Sequence, residues 1–261
     1  MKPWQNLRTN DANLSSMRTY LLAFIGVFSL LSISISNTAP GEKKINSSDE
    51  IISDFEYEQL ILTSIYTDCE LKDKLDFDVF KIAMEGCNAI DAPNKKLLSI
   101  IDYSKPSTEK RFFIIDVENR KLLYNTLVAH GKKSGYVKAT KFSNKYGSHK
   151  SSLGFFRTGN SYYGKRGYSL QLEGLEKGIN DNARRRGIVI HGANYVGERI
   201  ANGNGVIGRS WGSPAVSKKL SKEIINLLKG GSLLYIYADD ELYKENSLMA
   251  HLNANEKSDL N

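Results

Sequence analysis

Two residues in the last third of the chain are of types that can carry out acyl transfer together: His191 and Ser213. His191 closes a short β-branched run, Gly187-Ile188-Val189-Ile190-His191-Gly192. Ser213 lies in a tight turn, Gly208-Arg209-Ser210-Trp211-Gly212-Ser213-Pro214. A histidine at a strand end can take the proton of a nucleophile that a turn holds opposite it. A tight turn also lets main-chain N–H groups converge on one point, as an oxyanion hole requires. Each feature has a plainer explanation as well. Glycine, serine and proline fill loops for backbone reasons, and a strand-end histidine is often a satisfied core residue. A second histidine, His130, ends Leu127-Val128-Ala129-His130-Gly131 in a similar context and is a candidate for the same cleft. His149 and His251 fall in polar loops and read as solvated.

The choice of serine bears on the chemistry. A thiol has an unperturbed pKa of about 8.5 and can ionise beside a histidine near neutral pH. An alcohol must lose its proton as it attacks, so it leans on an oriented base and usually on a carboxylate behind that base. Glu198 and Asp181 are the carboxylates nearest to His191 along the chain. Around the turn, Arg209 and the cluster Arg184, Arg185 and Arg186 could hold a substrate carboxylate or be solvated surface cations. Trp211 is a candidate cleft wall. Tyr162, Tyr163 and Tyr168 are candidates for a binding surface, although sheet packing explains aromatic residues equally well.

Composition narrows the setting. The chain has 261 residues and a net charge of +7, with a pI near 9.1. The lysines are spread along the length, which argues against a nucleic-acid footprint clustered on one face. No metal-type spacing of cysteines or histidines occurs, so neither a metal nor a cofactor is expected. The two cysteines, Cys69 and Cys87, lie in a helical-looking segment. They read either as small buried residues or, in an exported protein, as a disulfide. Tyr20 to Ile35 is an apolar run preceded by Arg18, with small residues Ser34 and Ser36 at cleavage-like positions before Asn37. That order is the pattern of a secretory signal peptide, and the run is short for a membrane span of about 20 residues. The expected location is therefore outside the cytoplasm, in the periplasm or cell envelope, with the membrane met only through the signal segment.

The elements that must position the site follow from periodicity. Residues 1–36 read as the signal peptide and 37–50 as a linker. Residues 51–104 read as a small helical module, with a second helix over Phe77–Ile90 capped by Asp76 and an apolar run at Lys96–Tyr103 that fits helix or strand. Residues 105–240 carry short β-rich runs: Arg111–Val117, Lys121–His130, Ser152–Thr158, Tyr168–Leu172 and Gly187–His191. An amphipathic helix follows over Lys218–Leu228, then a continuous apolar strand, Ser232–Ala238, expected at the sheet centre. Residues 241–261 read as a polar tail. The expected fold is α+β overall: a mostly β catalytic domain, sandwich or barrel with a late helix, preceded by the helical module.

The block Ile188-Val189-Ile190-His191-Gly192-Ala193-Asn194-Tyr195-Val196, followed by Gly208-Arg209-Ser210-Trp211-Gly212-Ser213-Pro214-Ala215-Val216, resembles the catalytic motif of the L,D-transpeptidase (YkuD-like) family, in its murein L,D-transpeptidase branch. Pro106–Arg111, Leu127–Gly131, Ser151–Phe155 and Gly174–Arg184 match that branch in order, so the resemblance covers about residues 99–238. It implies an exported, mostly β enzyme acting on peptidoglycan stem peptides. His191 would be the base, and the carbonyl of Gly192 would orient it. The amides of Trp211, Gly212 and Ser213 would hold the oxyanion. On the residue reading above, Arg209, His130 and Tyr168 are the candidates for contact with substrate. Where the family carries a nucleophilic cysteine, this chain carries Ser213. Three explanations follow: a working serine site, a degenerate domain that binds wall peptides without turnover, or a serine introduced in place of a natural cysteine.

Overall fold

The structure, a computed structural model, describes residues 53–250. The signal-like run at 20–35, the linker and His251 lie outside the described residues. The first helix, α1 (Asp54–Asp68), starts at Ser53. Ser53 Oγ accepts the Glu56 N–H at 3.2 Å, and Glu56 returns a carboxylate oxygen to the Ser53 N–H at 3.0 Å. This reciprocal box satisfies two donors that a helix start leaves open. Helix α2 (Phe77–Ala89) is capped by Asp76, which accepts from the N–H groups of Asp78 and Val79. Its Phe80, Met84 and Cys87 are buried, as their spacing predicts.

Eight strands then form one sheet: β1 (Asn94–Asp102), β2 (Phe112–Asp116), β3 (Lys121–Thr126), β4 (Gly154–Gly164), β5 (Gly167–Gly174), β6 (Val189–Ala193), β7 (Ala215–Ser217) and β8 (Ser232–Tyr237). Helices α3 (Ala183–Arg186) and α4 (Glu198–Asn204) flank β6, and α5 (Lys218–Leu228) leads into β8. The spatial order is β3-β2-β1-β8-β4-β5-β6-β7. All pairs are antiparallel except β1–β8 and β6–β7. The apolar strand β8 occupies an interior place between β1 and β4, which explains its lack of alternation. After β3 the chain returns to bridge Ala129 to Ala215 and Gly131 to Ser210. The segment after one edge strand thus pairs beside the other edge, and the sheet is nearly closed. The architecture is the mostly β fold with a late helix and a small helical part before it.

The structure decides two choices that the sequence left open and corrects one reading. The run at Lys96–Tyr103, read as helix or strand within 51–104, lies in strand β1 up to Asp102 and pairs with both β2 and β8. Its Leu98, Ile100 and Ile101 are fully buried, a demand no isolated helix-like pattern reveals. Within the residues read as a polar tail, α6 (Glu241–Asn246) is ordered against the sheet. Tyr243 and Met249 join the main core, and the buried Glu176 carboxylate accepts from Tyr243 Oη at 3.2 Å and from the Leu248 N–H at 2.9 Å. Cys69 and Cys87 are free, buried thiols.

Helix α2 touches the sheet without a side chain at Gly86. A methyl group there would overlap the ring of Phe155, itself buried and stacked on Tyr235 at 4.5 Å. Helix propensity would return about 1 kcal/mol on Gly86→Ala. Overpacking a filled core costs about 1–3 kcal/mol, and an overlap onto a fixed ring sits at the upper end. Gly86→Ala is therefore expected to lower stability by about 2 kcal/mol, read as a lower urea midpoint with unchanged slope.

Candidate active site

Strand β6 carries His191 between β5 and β7. His191 pairs with Ser169 on one side and with Ala215 on the other. Its side chain is buried. The next residue must be small, because a Cβ on Gly192 would overlap Ser221 of helix α5. With that helix packed close, the Gly192 carbonyl lies 3.1 Å from His191 Nδ1. A carbonyl only accepts, so Nδ1 carries the proton and Nε2 presents its lone pair. Nε2 is buried and has no partner among the described residues. Burial pushes the imidazole below its ordinary value; the bond to Gly192 opposes this, and the Arg166 charge adds to it. His191 is a neutral base at pH 7.

The turn before β7 is held by main-chain and hydroxyl contacts. Gly212 has φ +118°, a region that favours glycine. Ser210 Oγ donates to the Ser213 carbonyl at 2.6 Å and accepts the Gly212 N–H at 3.0 Å. Ser151 Oγ donates to the Gly212 carbonyl at 3.3 Å and accepts the Gly131 N–H at 3.0 Å. The Ser210 N–H donates to the His130 carbonyl at 2.9 Å. The segments around Gly131 and Ser151, distant in sequence, thus clamp the turn that carries Ser213.

Extending the β6–β7 register two residues back sets Ser213 opposite Val189, on the same strand face as His191. Ser213 Oγ accepts the Val189 N–H at 3.3 Å, and the His191 N–H donates to the Pro214 carbonyl at 3.3 Å. Ser213, in the turn just before β7, thus lies alongside the strand that carries His191, and no hydrogen bond joins Ser213 Oγ to Nε2. The Gly212 N–H is engaged by Ser210, whereas the N–H groups of Trp211 and Ser213 have no hydrogen-bond acceptor among the described residues.

Ser213 opens onto a cavity of about 270 Å³ lined by Tyr146, His149, Arg166, Arg186 and Trp211, among others. His149 was expected in solvent; instead it stacks on Trp211 with centroids 4.6 Å apart. Trp211 is 58% exposed, and Lys132 lies over its ring at 4.8 Å. Arg166, at the tip of the β4–β5 hairpin, was not anticipated either. A glycine-flanked Gly164-Lys165-Arg166-Gly167 turn is the only sequence signal for it, and that signal marks the hairpin rather than the pocket.

Several predicted site residues lie elsewhere. His130 is fully buried, with Nδ1 2.8 Å from Arg111 Nη2 and Nε2 3.3 Å from the Gly135 carbonyl. Arg111 can only donate, so Nε2 carries the proton. The strand read over Lys121–His130 ends at Thr126, so His130 is not a strand-end residue; its ring braces the loop after Gly131 instead. Arg209 donates to the carbonyls of Lys132 and Gly135 and packs over Tyr136 at 4.7 Å, pinning the same loop. Tyr168 donates its hydroxyl to Asn226 Oδ1 at 2.8 Å and lies 2.9 Å from the Ser161 hydroxyl, which can donate to it. Neither Glu198 nor Asp181 meets the imidazole: Glu198 pairs with Lys110 at 2.9 Å, and Asp181 accepts from Asn144 at 2.6 Å. Of the arginine cluster, Arg186 reaches the cavity, while Arg184 and Arg185 are exposed.

Burial, with the Arg111 charge second, pushes the His130 pKa down to about 4. The folded state therefore refuses a proton that the unfolded chain takes near pH 6.5, so stability falls as pH drops from about 6.5 to 4. The lost amount is roughly 3 kcal/mol at 1.36 kcal/mol per unit. Urea titrations at pH 7 and pH 4 should show a smaller acid loss for His130→Gln than for the unmodified protein.

The family model described as L,D-transpeptidase catalytic domain matches residues 71–237, which include every site element above and span the 104/105 boundary read from the sequence. A search of curated proteins gives no match. Among solved structures, an L,D-transpeptidase from Mycobacterium smegmatis shares 12% identity over 55% of this chain and 59% of its own, with a TM-score of 0.35. The helical cell shape determining protein Pgp2 from Campylobacter jejuni shares 12% over 57% of this chain and 50% of its own, TM-score 0.37. An L,D-transpeptidase from Xylanimonas cellulosilytica shares 14% over 60% of this chain and 69% of its own, TM-score 0.31. The chain thus spans less than two thirds of the first of these structures. With the family model covering well over half of its residues, the chain belongs to the L,D-transpeptidase catalytic-domain family.

Proposed function

We propose that the protein is an exported acyltransferase of peptidoglycan stem peptides, with Ser213 as nucleophile and His191 as base. The observation that supports this reading is the pairing of β6 with β7: the turn carrying Ser213 leads into β7 beside the strand that carries His191, whose Nδ1 is committed to Gly192 and whose Nε2 is bare. In the forward step Oγ gives its proton to Nε2 and bonds to the donor carbonyl carbon. The carbonyl electron pair moves onto oxygen, where the N–H groups of Trp211 and Ser213 are the available donors. Collapse breaks the C–N bond, and His191 returns the proton to the departing amine. An incoming amine or water then releases the acyl group from Ser213. The Gly192 carbonyl orients the base. The export segment lies outside the described residues, and among the described residues no helix is long and apolar enough to cross a membrane.

A second reading is favoured by one contact. Ser213 Oγ accepts from Val189 rather than bonding to His191, as expected of a domain that binds wall peptides without turnover. Incubation with disaccharide-tetrapeptide, followed by mass spectrometry of the products, separates the two. Acyl transfer yields a shortened or cross-linked muropeptide that Ser213→Ala does not make. Binding without turnover leaves the donor intact and retains the protein on insoluble peptidoglycan even after His191→Ala.

A further inference from the structure

The cavity beside Ser213 is cationic without any internal counter-charge. None of its lining residues is acidic. Arg186 enters it partly buried, and its acceptors are neutral: the carbonyls of Ser143 and Lys150 and the hydroxyls of Ser148 and Ser152. Its charge is held in place but not neutralised. Arg166 enters from the hairpin tip, exposed, with no ion pair or hydrogen bond among the described residues. His149, also on the wall, keeps a buried Nδ1 without a partner. Two guanidinium groups in a concavity that excludes acidic side chains favour an anion, and a planar carboxylate matches the guanidinium fork.

We infer that this cavity is a carboxylate subsite, in which Arg166 holds a free carboxylate of the stem peptide while Ser213 faces the bond to be cleaved. The inference rests on the acyl-transfer reading above. It separates two roles. Arg186 is a structural cation, because four of its five N–H donors are already spent on the 143–152 loop. Arg166 is the group free to engage a ligand, and it lies close enough to influence His191 electrostatically. A carboxylate bound there would also offset the cationic field around the base.

Two sources could supply the carboxylate: the side chain of the diamino residue or the peptide C-terminus. The test uses three synthetic stem tetrapeptides: one with both carboxylates free, one amidated on the diamino side chain and one amidated at the C-terminus. Dissociation constants are measured by calorimetry on the full chain carrying Ser213→Ala, with and without Arg166→Gln. A hydrogen bond between charged partners predicts that Arg166→Gln weakens the free peptide by about five- to tenfold. It should leave one of the two amides, the one lacking the engaged carboxylate, unaffected, and Arg166→Lys should restore part of the loss. Equal weakening of all three peptides, or of none, overturns the subsite. If none of the peptides binds with Arg166 intact, the acyl-transfer reading fails, and the subsite fails with it.

Discussion

Ser213→Cys is expected to raise the rate of acyl-enzyme formation from a stem-peptide donor by about two orders of magnitude or more. The reason lies behind the base rather than at the nucleophile. His191 is backed by the neutral carbonyl of Gly192 at 3.1 Å, and neither nearby candidate carboxylate reaches it. A serine site relies on such a carboxylate to stabilise the imidazolium formed on attack, and losing it in a serine protease costs about four orders of magnitude. A thiol relies on it much less, since thiolate and imidazolium can form before attack. Under the proposed acyl-transfer reading, the oxygen at position 213 is expected to be the slow element of the pair. Stopped-flow acylation followed by intact mass measures the difference. Equal rates for the two side chains would show that proton removal from position 213 does not limit the reaction.

The second large effect is expected at the base. His191→Ala should lower acylation by about two to four orders of magnitude, the range for a positioned general base. In the Ser213→Cys protein the same change should remove most of the gain, because thiol and imidazole act as a unit. The pH profile follows from the burial of the ring. The active form is the neutral imidazole, so activity rises with pH through the His191 pKa, which burial holds below the ordinary histidine value. The acid limb should therefore lie below pH 6.5. The thermal midpoint of His191→Ala must be recorded beside its activity, because the residue is buried between two strands.

How much of this could be read from the residues alone differs by element. The Lys218–Leu228 helix has the bounds its apolar spacing predicts, and Ser232–Tyr237 takes the interior place its unbroken apolar run implies. Both signals are local periodicities, which short-range physics fixes. The order of the His-Gly strand and the glycine turn was legible as well, because each glycine answers a backbone demand: Gly192 to the approach of Ser221, Gly212 to its positive φ. What was not legible depends on distant pairings. Strand β1 takes its parallel neighbour from residues more than 130 positions later, and no periodicity encodes a partner. His130 and His191 read alike in sequence, each after an apolar run and before a glycine, yet His130 lies four residues beyond β3 and is claimed by Arg111, whereas His191 lies inside β6 with Nε2 bare. His149 sits in a loop without periodicity, and only the fold brings it against Trp211. Arg166 reaches the cavity from the tip of a hairpin whose length the run Tyr168–Leu172 understates.

Peptide mapping of the trapped intermediate tests the pairing of Ser213 with His191 most directly. The Ser213→Cys protein, quenched in acid during turnover of disaccharide-tetrapeptide and digested, should carry the donor acyl group on the peptide containing position 213. That adduct should be lost when His191 is also replaced by alanine. An adduct mapped to any other residue, an adduct indifferent to His191, or no adduct on the folded protein would contradict the account.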